Sequence, residues 1–115
     1  MSTFRKERMG EAIRKVVVEK MMREGSLVPN ALITINKVEM SPDFSYARIF
    51  YSVFGPVSEE EAASVLDEQR SAYRYEIAQK LNARHTPKVE FIFDRNTEHA
   101  FRIDGLLKNS EQSEV

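Results

Sequence analysis

Few residues of this chain have types and spacings suited to catalysis or metal binding. Among its 115 residues only His85 and His99 are histidines, cysteine is absent, and no HExxH, GxSxG or glycine-rich phosphate-binding motif occurs among its 4 glycines. Two histidines fourteen positions apart, without cysteine, do not have the ligand spacing of a zinc site. The sequence therefore predicts no metal and no cofactor, and it contains no motif that indicates an enzyme.

Carboxylates are the remaining candidates for acid–base catalysis. Five of them fall close together, at Glu59, Glu60, Glu61, Asp67 and Glu68. Acids at the start of a helix are common because they complement the positive end of the helix dipole. A small acid–base enzyme stays open as a third hypothesis, which would require a pocket with a perturbed carboxylate pair.

Positive charge is segregated along the chain although its total is balanced. The chain has 17 Lys and Arg against 18 Asp and Glu, a formal net charge of −1. Residues 5–23 nevertheless carry +4, residues 70–88 carry another +4, and the remainder carries −9. Such segregation can place a basic face on a neutral molecule, as binding to a phosphate backbone requires, although ordinary solvated helix faces give the same pattern.

Two tyrosines lie among the bases of the second segment. Tyr73 and Tyr75 could stack on unpaired nucleic-acid bases. The position of Tyr73 in an apolar helical stripe favours packing in the core instead.

The first element that positions these charges is a helix over residues 3–24. Its larger apolar side chains recur every three or four residues and so share one face; they are Met9, Ile13, Val16, Val17 and Met21. Gly25 and Pro29 follow and end the helix, because glycine is the usual C-terminal breaker and proline cannot continue a helix.

Two strands come next. Residues 31–40 alternate between apolar and polar until the register shifts near Asn36 and Lys37, which predicts a β-bulge. Residues 41–45 have the proline and aspartate of a tight turn. Residues 46–54 alternate again, so the two strands are predicted to form a hairpin.

A second helix begins at Ser58, since a serine followed three residues later by Glu61 is a capping box. Its apolar stripe is interrupted at Gln69, Arg70 and Ser71, which predicts a kink or a break into two helices. A break would leave free amides able to hold a phosphate with help from Arg70 or Arg74. Without glycine, however, it cannot be the ordinary GxxG clamp of KH domains.

Residues 88–94 predict a third strand, with Val89, Phe91 and Phe93 facing inward. Residues 95–107 are predicted to contain a short helix or turn, and residues 108–115 are a polar tail that we expect to be disordered. Each helix has a single apolar stripe to cover. The economical arrangement is therefore one α+β domain over residues 1–107, with a three-stranded sheet and the helices packed on one face.

The ends and hydropathy of the chain bear on its location. The N-terminus is charged from Arg5 and lacks the apolar region of a secretory signal, and no apolar run approaches the roughly 18 residues that span a membrane. We therefore expect a cytoplasmic protein with no membrane partner.

Four short motifs make the chain resemble one bacterial family. They are Arg-Lys-Glu-Arg-Met at residues 5–9, Ser-Pro-Asp at 41–43 with Tyr-Ala at 46–47, Arg-His-Thr-Pro at 84–87 before Val89, and Asp94 followed by Arg102, Ile103, Leu106 and Leu107. In this order and spacing they resemble ribosome-binding factor A. The resemblance implies a KH-like domain of the second type, with the order α-β-β-α-α-β.

The same resemblance implies a function and a set of partners. Such a protein is not an enzyme; it binds 16S rRNA on the immature small (30S) ribosomal subunit and assists late processing and folding of that RNA. Its release is helped by an assembly GTPase, and it is expected to be a monomer that matters most in cold growth.

The resemblance also implies an RNA-facing surface, on the second helical region and the loop after it. Its predicted members are Arg70, Arg74, Lys80, Arg84, His85 and Lys88, with Arg5, Lys6 and Arg8 as a second group. Arg74 and Arg84 come first, because guanidinium forks suit phosphate. The family's usual Ala-x-Gly kink falls on Gln69, Arg70 and Ser71.

A protein-interaction module is the alternative hypothesis. In that case a sheet edge, or the acidic first turn of the second helix, recruits a partner protein. Binding that survives high salt and ribonuclease would favour this alternative.

Overall fold

The computed structural model describes residues 2–82 and 84–95. Its elements are helix α1 (Ser2–Glu24), strands β1 (Leu32–Met40) and β2 (Tyr46–Phe54), helix α2 (Glu59–Leu81) and strand β3 (Lys88–Phe93). The sheet order is β1-β2-β3, with β1 antiparallel and β3 parallel to β2. The predicted α+β class and three-stranded sheet are confirmed.

Helix α1 packs on the sheet with the face that its periodicity predicts. Ile13 and Val17 are completely buried, and Val16 is nearly so. The helix approaches β1 closely at Gly10, where an added Cβ would lie 2.6 Å from the carbonyl oxygen of Val38. A side chain at this position would therefore push the helix away from the strand.

The β-bulge predicted near Asn36 is present. The register of the β1–β2 pair shifts between Ile35 and Lys37, so Asn36 is the extra residue. The side-chain amide of Asn36 donates hydrogen bonds to Ser52 Oγ at 2.6 Å and to Asp94 Oδ2 at 3.0 Å. The bulge thereby connects β1 to β2 and to the residue that follows β3.

Helix α2 begins where the capping box predicts, and the amide of Glu61 donates to Ser58 Oγ at 3.0 Å. It ends at Asn82, which has a left-handed conformation with φ of 51° and donates its N–H to the carbonyl of Ala78. That conformation is tolerated better by asparagine than by most residues other than glycine.

The predicted break of this helix into two is wrong, whereas the alternative, a kink within one helix near Ser71, stays a prediction. Gln69, Arg70 and Ser71 are all helical within the 23 residues of α2, so the free amides of a second helix start do not exist there. Residues 59–81 contain neither glycine nor proline. The buried side chains of Leu66 and Tyr73 also lie seven residues apart, close to two turns, which keeps the apolar stripe in phase. Over the described residues the order is therefore α-β-β-α-β, without the third helix.

The core lies between the helices and one face of the sheet and contains an aromatic cluster. Tyr73 of α2 meets Phe91 edge to face at 5.5 Å between ring centroids, and Tyr51 meets Phe93 at 5.7 Å. Burial raises the pKa of Tyr73 to about 12. Val89, Phe91 and Phe93 therefore face inward as predicted.

Several predictions about the C-terminal part concern residues outside the described ranges. These are the short helix or turn after Arg95, the polar tail over residues 108–115 and the domain boundary at residue 107. Across the part of the chain that the structure describes, no helix combines the length and apolar character needed to cross a membrane.

Candidate nucleic-acid interface

Three segments meet at the end of the sheet where β3 begins. The C-terminal half of α2 leads into residues 84–87, and these lead into Lys88 at the start of β3. The amide of Lys88 donates to the carbonyl of Ser45 at 2.8 Å, and Lys88 pairs with Tyr46 in the parallel register. The hairpin turn therefore anchors the start of β3 next to α2.

Two adjoining recesses lie on this surface. The first, here called the loop recess, has a volume of about 460 Å³ and is lined by Ser71, Arg74, Tyr75, Ala78, Arg84, His85 and Thr86. The second, here called the strand recess, has a volume of about 310 Å³ and is lined by Tyr46, Arg70, Ser71, Arg74, Lys88, Val89 and Glu90. Ser71 and Arg74 line both, so the two recesses form one continuous surface, which we call the basic surface.

The bases of this surface differ in whether an acid already neutralises them. Within residues 2–82 and 84–95, no carboxylate lies within 4.0 Å of the side-chain nitrogens of Arg84 or Lys88. Arg70 pairs with Asp67 at 3.3 Å. The one acid among the lining residues of the two recesses, Glu90, pairs with Arg48 at 3.4 Å. Arg74 likewise has no carboxylate partner among the described residues, so Arg74, Arg84 and Lys88 are the cations that a phosphate can reach without displacing a carboxylate.

Arg74 has a structural role in addition to its charge. Its guanidinium donates a hydrogen bond to the carbonyl of Thr86 at 3.0 Å, joining α2 to the loop. Because a guanidinium has five N–H donors, this bond leaves others available for a ligand. Arg74 therefore positions the loop that carries Arg84 and His85.

The structure brings most of the predicted RNA-facing residues together. Five of the first six, Arg70, Arg74, Arg84, His85 and Lys88, line the two recesses. Lys80 is exposed on the last turn of α2 but lines neither recess.

The second predicted group is placed elsewhere. Arg5, Lys6 and Arg8 lie near the start of α1 and line neither recess. Gly10 is close to Val38, whereas Met21 and Met22 share a groove with the first half of β1, so α1 runs antiparallel to β1. The start of α1 consequently lies toward the end of the sheet where the hairpin turn and the start of β3 are found.

Three features of this surface were not predicted from the sequence. They are Tyr46 in the strand recess, Ser71 as a lining residue of both recesses, and the carbonyl of Thr86 as the acceptor for Arg74. Tyr46 joins the surface through the parallel pairing of β2 with β3, for which the sequence carries no local signal. The position of Ser71 could have been found, because Ser71, Arg74, Tyr75 and Ala78 have the spacing of one helical stripe. Among the described residues, no three acidic or histidine side chains converge as metal ligands would.

Comparisons with known proteins agree on one family. A family model described as ribosome-binding factor A matches residues 5–107. The chain is 36% identical over 111 residues to the ribosome-binding factor A of Magnetococcus marinus, covering 95% of this chain and 90% of that protein.

Solved structures show the same fold. The crystal structure of ribosome-binding factor A from Thermus thermophilus superposes with a TM-score of 0.67 at 21% identity, covering 78% of this chain and 97% of that one. A homology model of the Thermus thermophilus protein, fitted into a cryo-EM map of its complex with the 30S subunit, gives a TM-score of 0.60 at 21% identity, covering 79% and 92% of the two chains. The fold is accordingly KH-like, as the resemblance implied. With a family model that spans nearly its whole length, the chain belongs to the ribosome-binding factor A family.

Proposed function

We propose that this protein binds the small (30S) ribosomal subunit during its maturation and that the basic surface contacts 16S rRNA. Membership of the ribosome-binding factor A family supports the first part, as does the Thermus thermophilus relative fitted into a complex with the 30S subunit. The observation that carries the second part is the convergence of five predicted basic residues around two adjoining recesses.

The chemistry of the surface suits a phosphate backbone. Arg84 and Lys88 are exposed and lack a nearby carboxylate among the described residues, so a phosphate can replace their counterions. Arg74 holds the loop through Thr86 and limits the freedom that the loop would lose on binding. This arrangement favours salt-sensitive binding that depends on two or more phosphate contacts.

In this proposal the protein acts by binding, without a catalytic step of its own. It assists rRNA processing and folding as a cytoplasmic monomer, is released with the help of an assembly GTPase, and matters most in cold growth. A formal net charge of −1 fits this role, because a nearly neutral protein binds non-target RNA weakly and can leave its site.

A co-sedimentation experiment with immature 30S subunits tests the proposed surface. The double variant Arg84→Glu with Lys88→Glu is expected to lose binding at moderate salt. Because about two phosphate contacts disappear, the dependence of log K on log salt should become shallower by roughly 1–2. Arg74 is left unchanged, since its replacement would also disturb the loop.

Lys15→Glu with Lys37→Glu is the matched control. It changes the net charge equally at two exposed residues that line neither recess, and it should leave binding close to that of the wild type. Equal loss in both double variants, or loss in neither, would contradict the site. Binding that resists both high salt and ribonuclease would favour the protein-interaction module instead.

A second experiment tests the cellular role. Cells that lack this chain should accumulate free small subunits containing unprocessed 16S rRNA, as seen in a sucrose-gradient profile. Restoration of the profile by the wild type, but not by the Arg84→Glu and Lys88→Glu variant, would tie the role to the basic surface.

A further inference from the structure

Tyr75 is an exposed aromatic side chain inside the basic surface. It is 66% exposed, although Tyr73, two residues earlier on the same helix, is completely buried. Its ring lines the loop recess beside Arg74, Arg84 and His85. A single exposed tyrosine is common on protein surfaces, but this one shares its recess with Arg74 and Arg84 of the proposed RNA-binding surface.

The neighbours of Tyr75 on α2 leave its ring accessible. The residues three and four positions away on either side are Ser71, Ala72, Ala78 and Gln79, and three of these four are small. No ring or cation contact with another described residue involves Tyr75. The recess therefore has room for a planar group against the ring.

A second aromatic ring lies on the other side of Arg74. Tyr46 lines the strand recess and is 37% exposed, with the ammonium of Lys88 5.9 Å from its ring centroid. Arg74 and Ser71, which line both recesses, stand between the two tyrosines. Aromatic rings and cations thus alternate across the surface.

This alternation distinguishes between two forms of RNA. A duplex hides the faces of its bases and is bound through phosphates and 2′-hydroxyls, which would use the cations but not the rings. An unpaired segment offers both phosphates and base faces, and stacking on an aromatic side chain is a common way to hold it. Glu90, the one acid among the lining residues of the two recesses, is paired with Arg48, so little charge repels the backbone of such a segment.

We propose that the basic surface takes an unpaired RNA segment, with one base stacked on Tyr75 in the loop recess and the adjoining phosphates on Arg84 and Lys88. This inference rests on the proposed function, because it assumes that the same surface contacts RNA. It adds the residue, Tyr75, on which one unpaired base stacks. Tyr46 is placed to receive a second base in the strand recess.

Fluorescence anisotropy with labelled RNA tests the inference. The probes are a single-stranded oligoadenylate of ten nucleotides and a blunt RNA duplex of ten base pairs, at one fixed salt concentration. The wild type should prefer the single strand. Tyr75→Leu should weaken binding of the single strand about five- to hundredfold, leave duplex binding within twofold, and leave the salt slope unchanged, because stacking involves no counterion release.

Three further variants complete the experiment. Tyr75→Phe keeps the ring and should bind within twofold of the wild type, and Tyr73→Phe changes a buried tyrosine on the same helix and should do the same. The chain has no tryptophan, so Tyr75→Trp introduces a unique fluorophore whose emission should be quenched when a base stacks on it. This last variant reports stacking even if the leucine variant folds poorly.

The outcomes separate this inference from the proposed function. If Tyr75→Leu binds the single strand as the wild type does, or Tyr75→Trp is not quenched, while Arg84→Glu with Lys88→Glu still loses 30S binding, the stacking site is wrong and the RNA surface stands. If the double variant retains both 30S and RNA binding, the proposed function itself fails. Quenching by an added protein partner, but not by RNA, would assign Tyr75 to a protein interface and overturn the inference.

Discussion

Two segments carry the same net charge, +4, and the structure uses their bases in different ways. The first is residues 5–23 in α1, and the second is residues 70–88 at the end of α2 and in the loop after it. In the second half of α1, Arg14 pairs with Glu11 at 3.2 Å and Arg23 pairs with Glu76 of α2 at 3.1 Å. These two arginines already form ion pairs within α1 or between α1 and α2, so they are less available to a phosphate.

Lys20 of α1 is the clearest case. It is only 7% exposed, its ammonium pairs with Glu24, and it lies 5.2 Å from the ring centroid of Tyr73. A buried lysine needs such partners because the charge has lost its hydration. Lys20 therefore adds to the net charge counted from the sequence, but its charge is not exposed to a ligand.

The second segment keeps most of its bases available. Arg70 pairs with Asp67. The other four bases, Arg74, Lys80, Arg84 and Lys88, are exposed, and none of them has a carboxylate within 4.0 Å in residues 2–82 and 84–95. Equal charge in sequence does not mean equal availability to phosphate, because partners supplied by the fold decide which cations are free. Within the same described ranges, Arg5, Lys6 and Arg8 at the start of α1 and Lys15 further along it also lack a carboxylate partner. The role of Arg5, Lys6 and Arg8 in RNA binding stays a prediction.

Single charge reversals test this contrast most strongly. Arg84→Glu should weaken 30S binding by about one to two powers of ten, because it removes a phosphate contact and adds a repulsive charge. Arg23→Glu makes the same change in charge at a paired arginine, and it should leave the affinity within about threefold. Its cost should instead appear as a loss of up to about 1 kcal/mol in the free energy of unfolding, the usual range for an exposed ion pair.

Both variants are measured by co-sedimentation and by urea unfolding. If the two reversals weaken 30S binding equally, availability is not what separates the segments, and a general effect of net charge explains both.

Gly10→Ala tests the complementary claim, that α1 contributes mainly by packing. The new Cβ would lie 2.6 Å from the carbonyl oxygen of Val38, so the helix must move away from β1. Overpacking of this kind costs about 1–3 kcal/mol, and the better helix propensity of alanine returns up to roughly 1 kcal/mol. We expect a net loss of about 1–2 kcal/mol in the free energy of unfolding, with unchanged 30S affinity of the folded protein. A variant as stable as the wild type would show that the close contact at Gly10 is not needed.

Arg74→Met sharpens the comparison inside the basic surface. Methionine keeps much of the length of the side chain but cannot donate to the carbonyl of Thr86, so the loop loses its link to α2. The expected cost is about 1 kcal/mol in the free energy of unfolding, and 30S binding should weaken severalfold. The salt slope should change little if Arg74 acts by positioning the loop, whereas a slope shallower by about 1 would show that it contacts a phosphate. Arg70→Met, which removes only the exposed pair with Asp67, is the control for stability.

Local patterns predicted the elements well. The capping box at Ser58, the bulge at Asn36 and the alternation over residues 46–54 each depend on neighbouring residues, and the structure confirms all three. The predicted break into two helices near Ser71 is wrong for a related reason. The gap in the apolar stripe is a local feature, whereas Leu66 and Tyr73 remain on one face across it.

The features of the site that the sequence could not predict depend on contacts between residues that are distant along the chain. Charge alone pointed to Arg84 and Lys88. The burial of Lys20 depends on where α2 places Tyr73, and the link from Arg74 to Thr86 depends on how the chain returns after α2. The strand recess exists because Tyr46 and Lys88 pair across parallel strands that are distant in sequence.

The smallest expected effect concerns the hairpin turn beneath the basic surface. Asp43 accepts hydrogen bonds from the side chain and amide of Ser45 and from the hydroxyl of Ser41. Because these bonds favour the ionised carboxylate, they lower the pKa of Asp43 from 3.8 to about 2. A carboxyl whose pKa is lower in the folded state stabilises the fold above its unfolded pKa, and this contribution disappears as the pH falls through the folded value.

Asp43→Asn should therefore lower the free energy of unfolding slightly at pH 5–7, and the difference from the wild type should vanish near pH 2. Urea unfolding of both proteins at pH 2, 3, 4 and 6 measures this, because the other carboxyl groups titrate equally in the two and cancel. A difference that stays constant over this range would show that the charge of Asp43 does not hold the turn.

The turn is also connected to the start of β3. Since the carbonyl of Ser45 accepts a hydrogen bond from the amide of Lys88, a weakened turn should also loosen the start of β3. A small loss of 30S affinity in Asp43→Asn at neutral pH would then connect the turn to the basic surface. The control is Arg48→Gln, which alters an exposed ion pair on β2, the strand after the turn, and should not reproduce the pH dependence.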